Sequence, residues 1–300
     1  MYRNIRSGAY TNATRRVGKQ QVYNPGQAQK KIFNSLTYIS VGTITFLWLL
    51  PILWMIISAF RDPGEPFYIG VLPSKLTMVN FQKVLSNENT MRSFRNSATV
   101  AAFAALVDMV IASLAAYGFS RFRFAGKRPL QILLLVVRLF PGVLLAITLF
   151  QVAGFLNVYD TFVPLILANA LLNLPFAIWN LRTTFEALPI ELEEAAWIDG
   201  TTRVGGIIRI LLPLMTPSLA ATAAFVFLLS WNEYLFAVSF IRSPEKQLIT
   251  TAIAANIGQY NVDFTGLITT GMLASLPLLL VFLYIQRYIV SGLGVGAVRG

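Results

Sequence analysis

Three charged side chains, Asp108, Arg138 and Glu233, stand inside apolar stretches of this chain. A second group lies outside such stretches, where Glu186, Glu191, Glu193, Glu194 and Asp199 crowd into one short segment. Charge within an apolar run is costly and defaults to a functional or a paired role. The chemistry open to these groups is narrow. The chain has neither histidine nor cysteine, so it offers no imidazole base, His-ligated zinc, thiolate nucleophile or disulfide. Its intramembrane carboxylates do not pair at matching depth, which argues against an intramembrane enzyme. It also lacks the G-x-x-x-x-G-K-[ST] pattern that cradles nucleotide phosphates. What remains is binding, gating or partner contact.

The elements that must position these residues follow from composition. Of 300 residues, 56% are hydrophobic and only 12% charged, with a mean hydropathy of +0.63. Soluble domains carry about a quarter charged residues, so this surface suits lipid. An all-α polytopic membrane protein is predicted, with six spans at about 37–59, 95–118, 130–153, 161–182, 216–240 and 268–289. The first has no cleavage signal at its end and reads as a retained helix. Pro141, Pro175, Pro217 and Pro277 are expected to kink or end helical turns.

Six spans put both termini on one side, and charge says which. Sixteen Lys and Arg fall on the terminal side, seven of them in the acid-free tail 1–36. The opposite side has seven: Arg61, Lys75, Lys83, Arg92, Arg95, Arg242 and Lys246. The positive-inside rule makes both termini cytoplasmic. The net charge of +11 thereby reads in part as topology beside anionic lipid, and nucleic acid is set aside because no aromatic stacking platform is interleaved with the basic residues. Two longer outward segments, about 60–94 and 241–267, are expected to be irregular with short helices. They serve either as connections or as a landing surface for an external partner.

The acidic segment predicts a short capped helix at about 190–200. Pro189 suits a first turn, the early acids favour the positive helix end, and Gly200 suits the residue just past the C-terminus. Ala195 and Ala196 would admit a close surface, while Leu192, Trp197 and Ile198 offer apolar contact. Two readings stand: an interfacial helix on lipid, or a docking peg for a protein. The acids fit the second better, because the inner leaflet is itself negative.

Here a resemblance enters. Glu194-Ala195-Ala196, three residues, Gly200, nine residues and Ile210-Leu211-Leu212-Pro213 resemble the EAA motif of ATP-binding-cassette importer permeases. Pro141-Gly142, Asn173-Leu174-Pro175-Phe176-Ala177, Trp231-Asn232-Glu233 and the glycine-rich 292–300 resemble the carbohydrate-importer branch with its maltose-type permeases. The resemblance covers roughly residues 37–300 and implies a type I importer permease-like fold. It implies a heterodimer with a second permease subunit, two cytoplasmic ATP-binding-cassette subunits that hold ATP and Mg, and a periplasmic solute-binding protein. This chain itself would bind no cofactor or metal and lie in a bacterial inner membrane. Glu191, Leu192, Glu194, Ala195, Ala196, Ile198, Asp199 and Gly200 would dock on an ATPase, with the C-terminal tail reaching between the ATPases.

The interior polar residues complete the expectations. At 1.5 Å per residue, Asp108 and Arg138 lie roughly 15 and 12 Å from the inner ends of their spans. That match predicts an Asp108–Arg138 ion pair, serving either as structural glue or leaving Arg138 to face the pathway and attract an acidic solute. Glu233 and Asn232 sit near the outer end of the fifth span, as pathway groups or as an interface anchor. Asn173, with Asn169, Asn180 and Gln151, bonds either sugar hydroxyls or neighbouring helices. The function expected is ATP-driven import of a carbohydrate-class solute. The alternatives are a non-sugar solute in the same architecture, or an autonomous secondary transporter.

Overall fold

The computed structural model describes residues 25–65, 72–257 and 263–296. The basic tail up to Gln20 and beyond to Asn24, and the last four residues of the glycine-rich end, lie outside them. The chain divides into two compact units, residues 1–52 and 53–300. The first comprises the N-terminal part of α1 (Pro25–Ala59), and residues 33–52 are exposed throughout. That apolar, all-round exposure is what a lipid-facing helix requires.

The second unit is helical. After α2 (Val79–Ser86) come α3 (Glu88–Arg121), α4 (Lys127–Leu139), α5 (Gly142–Phe155) and α6 (Phe162–Ala187). A short helix α7 (Glu191–Ile198) leads to α8 (Arg203–Gly206), a π segment (Ile207–Leu211) and α9 (Leu212–Leu214). Then follow α10 (Thr216–Trp231), α11 (Leu235–Phe240), a 3₁₀ turn (Pro244–Lys246), α12 (Ile249–Ala254) and α13 (Phe264–Gly296). The only β pairing among the described residues is the bridge Arg61–Leu76.

Among the described residues, four helices are long and apolar enough to cross a bilayer by themselves, within α1, α3, α6 and α13. Two further pairs qualify only as bent units: α4 with α5 at 98°, and the Arg203–Leu214 stretch with α10 at 81°. The described residues therefore offer up to six spans, if each bent pair is one span. The third span expected over 130–153 is bent at Pro141, one of the prolines expected to kink or end a helical turn: Phe140 is extended (φ −66°, ψ 134°), as a residue before proline prefers, and a new helix starts after it. The predicted fifth stretch, 216–240, also breaks, at Asn232–Tyr234 between α10 and α11. Pro217 merely opens α10, while Pro175 and Pro277 lie inside continuous α6 and α13.

The bundle centres on α3, which packs most extensively on α6 and then on α10. Its inward positions are small: Ala101, Ala104, Ala105, Ala112 and Ala116 are all buried. Spaced three, four or seven residues apart, they let neighbouring backbones approach closely without any water-driven collapse. Larger side chains fill the two ends. Tyr117, Leu181, Phe185, Leu211 and Met215 pack at the α7 end, and Leu165, Phe236, Phe240 and Leu248 at the opposite end.

Candidate functional site

The acidic segment folds as its residues dictate. Glu191, Glu193 and Glu194 occupy the first turn of α7, opposite the positive end of the peptide dipoles. At the other end the Gly200 amide donates to the Trp197 carbonyl and the Thr201 amide to that of Ala196, both at 3.0 Å. This is the Schellman arrangement, and it needs the left-handed residue that Gly200 supplies at φ +82°. Thr202 then caps α8, its hydroxyl accepting from the Gly205 amide at 3.1 Å.

Helical periodicity divides α7 into two faces. Glu191, Leu192, Glu194, Ala195, Ile198 and Asp199 are exposed, with Ile198 86% accessible. Glu193 and Ala196, three residues apart, are buried against the bundle. Ala196 is thus removed from the expected docking face: one helical turn places it beside Glu193, under α7. Gly200 is also exposed, and it shapes the turn that follows.

Glu193 is the residue that sequence reasoning left without a role. Its carboxylate accepts from the Tyr117 hydroxyl at 2.9 Å and from Arg121 Nε at 2.5 Å. Arg121 Nη2 also donates to the Leu188 carbonyl at 3.0 Å. Beside this cluster the Arg203 guanidinium lies over the rings of Trp197 and Phe122, at 5.1 and 5.6 Å. In the second half of the motif Leu211 is buried with Ile207 among Tyr117, Phe185 and Met215, while Pro213 is exposed.

The interior polar residues are placed differently from expectation. Asp108 and Arg138 do not pair. Arg138 Nη1 donates to the Leu172 carbonyl of α6 at 2.8 Å. Counting depth along straight helices misleads here, because α4 ends at Leu139 and the chain turns away. Asp108 is fully buried, neither carboxylate oxygen has a hydrogen-bond partner, and it lies at an apolar cavity of about 400 Å³ between α3, α5 and α6.

Of the two readings of Asn173, the structure shows the bond to a neighbouring helix: it is buried and donates to Ser230 Oγ at 3.3 Å, joining α6 to α10. Asn180 joins the same helices through Thr222 at 2.6 Å. Asn232 is exposed, and its amide donates back to the Leu228 carbonyl at 2.8 Å. Glu233 is half-buried; its carboxylate accepts from the Phe236 and Ala237 amides at 2.7 and 3.1 Å, capping α11. The break in the fifth stretch is therefore a built helix start.

The end opposite α7 is stapled by Asp160, in the left-handed region at φ 57°. Its carboxylate accepts from the amides of Arg242 and Ser243, the Ser243 hydroxyl and Lys246 Nζ. Those bonds, led by the Ser243 hydroxyl, hold its pKa well below the usual carboxylate range. Asn96 of α3 adds two bonds to the same loop, to the Glu245 and Gln247 carbonyls, each 2.9 Å.

The described residues thus form a long-helix bundle with an acidic helix exposed at one end and a stapled loop at the other. A protein-family model described as "Binding-protein-dependent transport system inner membrane component" matches residues 108–295. The chain belongs to this family. It is 32% identical to the trehalose/maltose transport system permease protein MalG of Thermococcus litoralis, over 88% of this chain and 96% of that protein. It is 31% identical to the trehalose transport system permease protein SugB of Mycobacterium tuberculosis, over 84% and 93% respectively. A solved structure of a bacterial ABC transporter involved in the import of the acidic polysaccharide alginate superposes with a TM-score of 0.74 at 20% identity. The match covers 87% of this chain and 97% of that one, and it shows the fold. In this multi-pass membrane component α7 follows directly on α6.

Proposed function

We propose that this chain is the permease subunit of an ATP-driven importer for a carbohydrate-class solute, working by alternating access beside a second permease subunit. The observation that carries this reading is the exposed face of α7. Glu191, Glu194 and Asp199 surround Leu192, Ala195 and Ile198 on a helix closed by the Schellman turn at Gly200. Such a face would suit an apolar groove with a basic rim on a cytoplasmic ATPase that holds ATP and Mg. The relatives named for trehalose and maltose support the solute class. At the opposite end, the loops tied by Asp160 and Asn96 give a solute-binding protein a fixed surface. Arg138 and Asn232, both exposed, are the residues proposed to face the pathway.

The test is reconstitution of the complete complex in liposomes with labelled oligosaccharides. Uptake should require ATP, the binding protein and both permeases. ATP-independent uptake by the purified subunit alone would replace this reading with a secondary transporter. Replacing Arg138 with Gln then separates solute classes: loss confined to acidic sugars assigns the guanidinium to solute attraction.

A further inference from the structure

Helix α7 is joined to the bundle in three ways that differ in stiffness. Toward α6 the link is only Leu188–Ile190, and Arg121 holds its first carbonyl. Toward α10 the chain passes Gly200 in the left-handed region, the α8 turn, the π segment and an 81° bend around Met215. π segments and helix breaks of this kind are points where a chain yields. The third link is through side chains. Tyr117 and Arg121 stand four residues apart on one face of α3, so both reach the same Glu193 carboxylate. The Glu193 side chain is 4% exposed and that of Arg121 12%. Charge-assisted bonds in so dry a setting are strong and geometrically specific, and they cannot be replaced by water if α7 slides.

We propose that Glu193, Arg121 and Tyr117 are positioning residues that make α7, α3 and the end of α6 one lever. A displacement imposed on α7 is delivered to α3 and α6, while α10 follows across the bend at Met215. Arg121 is the hinge pin of this arrangement, since it bonds α7 through Glu193 and the α6–α7 link through Leu188. The extensive α3–α6 packing then carries the displacement along the bundle. Packed interfaces of this kind switch between discrete arrangements rather than deform continuously. The inference rests on the docking role proposed for α7, but assigns transmission to residues that do not touch the ATPase.

The experiment uses the complete complex with its ATPases, second permease and solute-loaded binding protein, carrying Ile198→Cys as a crosslinking reporter. Glu193→Gln is compared with the parent. The expected result is an unchanged crosslink to the ATPase and unchanged basal ATP hydrolysis, with stimulation by the loaded binding protein reduced about tenfold or more. Undiminished stimulation overturns the lever. If Glu193→Gln does not assemble, the neutral pair Arg121→Gln with Glu193→Gln replaces it, since no buried charge is then left alone. Lost stimulation in that assembled pair supports the proposal. Full stimulation, or failure to assemble again, reduces the cluster to a structural role and overturns it. Absence of the Ile198 crosslink in the parent complex instead removes the docking reading, so the two failures are distinguishable.

Discussion

Adjacent glutamates on α7 do opposite work because one helical step rotates the side chain by about 100°. Glu193 points into the bundle toward Tyr117 and Arg121, while Glu194 points to solvent. Glu193→Ala should strand a mostly buried guanidinium and destabilise the subunit by about 3–5 kcal/mol. Glu194→Ala and Ile198→Arg alter only exposed positions and should stay within about 0.5 kcal/mol. Thermal unfolding of the purified subunit in detergent checks the contrast, and equal losses for Glu193 and Glu194 would contradict the assigned faces. Co-purification of the ATPase should show the reverse order, with Ile198→Arg the most damaging. The acids, Pro189 and Gly200 made this helix legible in the sequence. Which glutamate turns inward was not, because its partners sit 76 and 72 residues away on α3. An arginine and a tyrosine four apart at the end of an apolar run were the available signal.

At the scale of elements, long apolar runs are legible because lipid demands about 20 consecutive apolar residues. The breaks within them are not. Pro175 and Pro277 sit in continuous helices, yet Pro141 ends one. The difference at Pro141 includes its neighbour: a Cβ on Gly142 would lie 3.4 Å from Leu235 Cδ2, so the second half of the span seats closely on α11. The α10–α11 break turns on Glu233, whose charge suggested a pathway role but whose carboxylate caps α11. Glu233→Gln keeps an acceptor oxygen and should preserve stability and transport. Glu233→Ala leaves two amides without that acceptor and should cost about 1–2 kcal/mol, read as a lower unfolding temperature. If Glu233→Gln abolishes transport while leaving the unfolding temperature unchanged, the negative charge acts on solute and capping is incidental.

For the whole molecule, the asymmetry of charge and the asymmetry of structure coincide. The basic-rich side of the sequence is the side that bears α7, and the basic-poor side bears α2 and the Asp160 staple. Basic loops are retained on the cytoplasmic side during insertion, so α7 should be cytoplasmic and α2 exterior. The absence of native cysteine makes this testable without background. Ser86→Cys, exposed at the end of α2, should react with a membrane-impermeant maleimide in right-side-out vesicles. Ile198→Cys and a tail position such as Ser7→Cys should react only after the membrane is opened. The reversed pattern would place α7 outside, out of reach of any cytoplasmic motor, and would remove the docking role however well the geometry of α7 suits it. Labelling of Ile198→Cys together with Ser86→Cys, with Ser7→Cys protected, would instead imply an even number of crossings between Ser86 and α7, meaning that the bent α4–α5 pair enters and leaves the membrane on the same side.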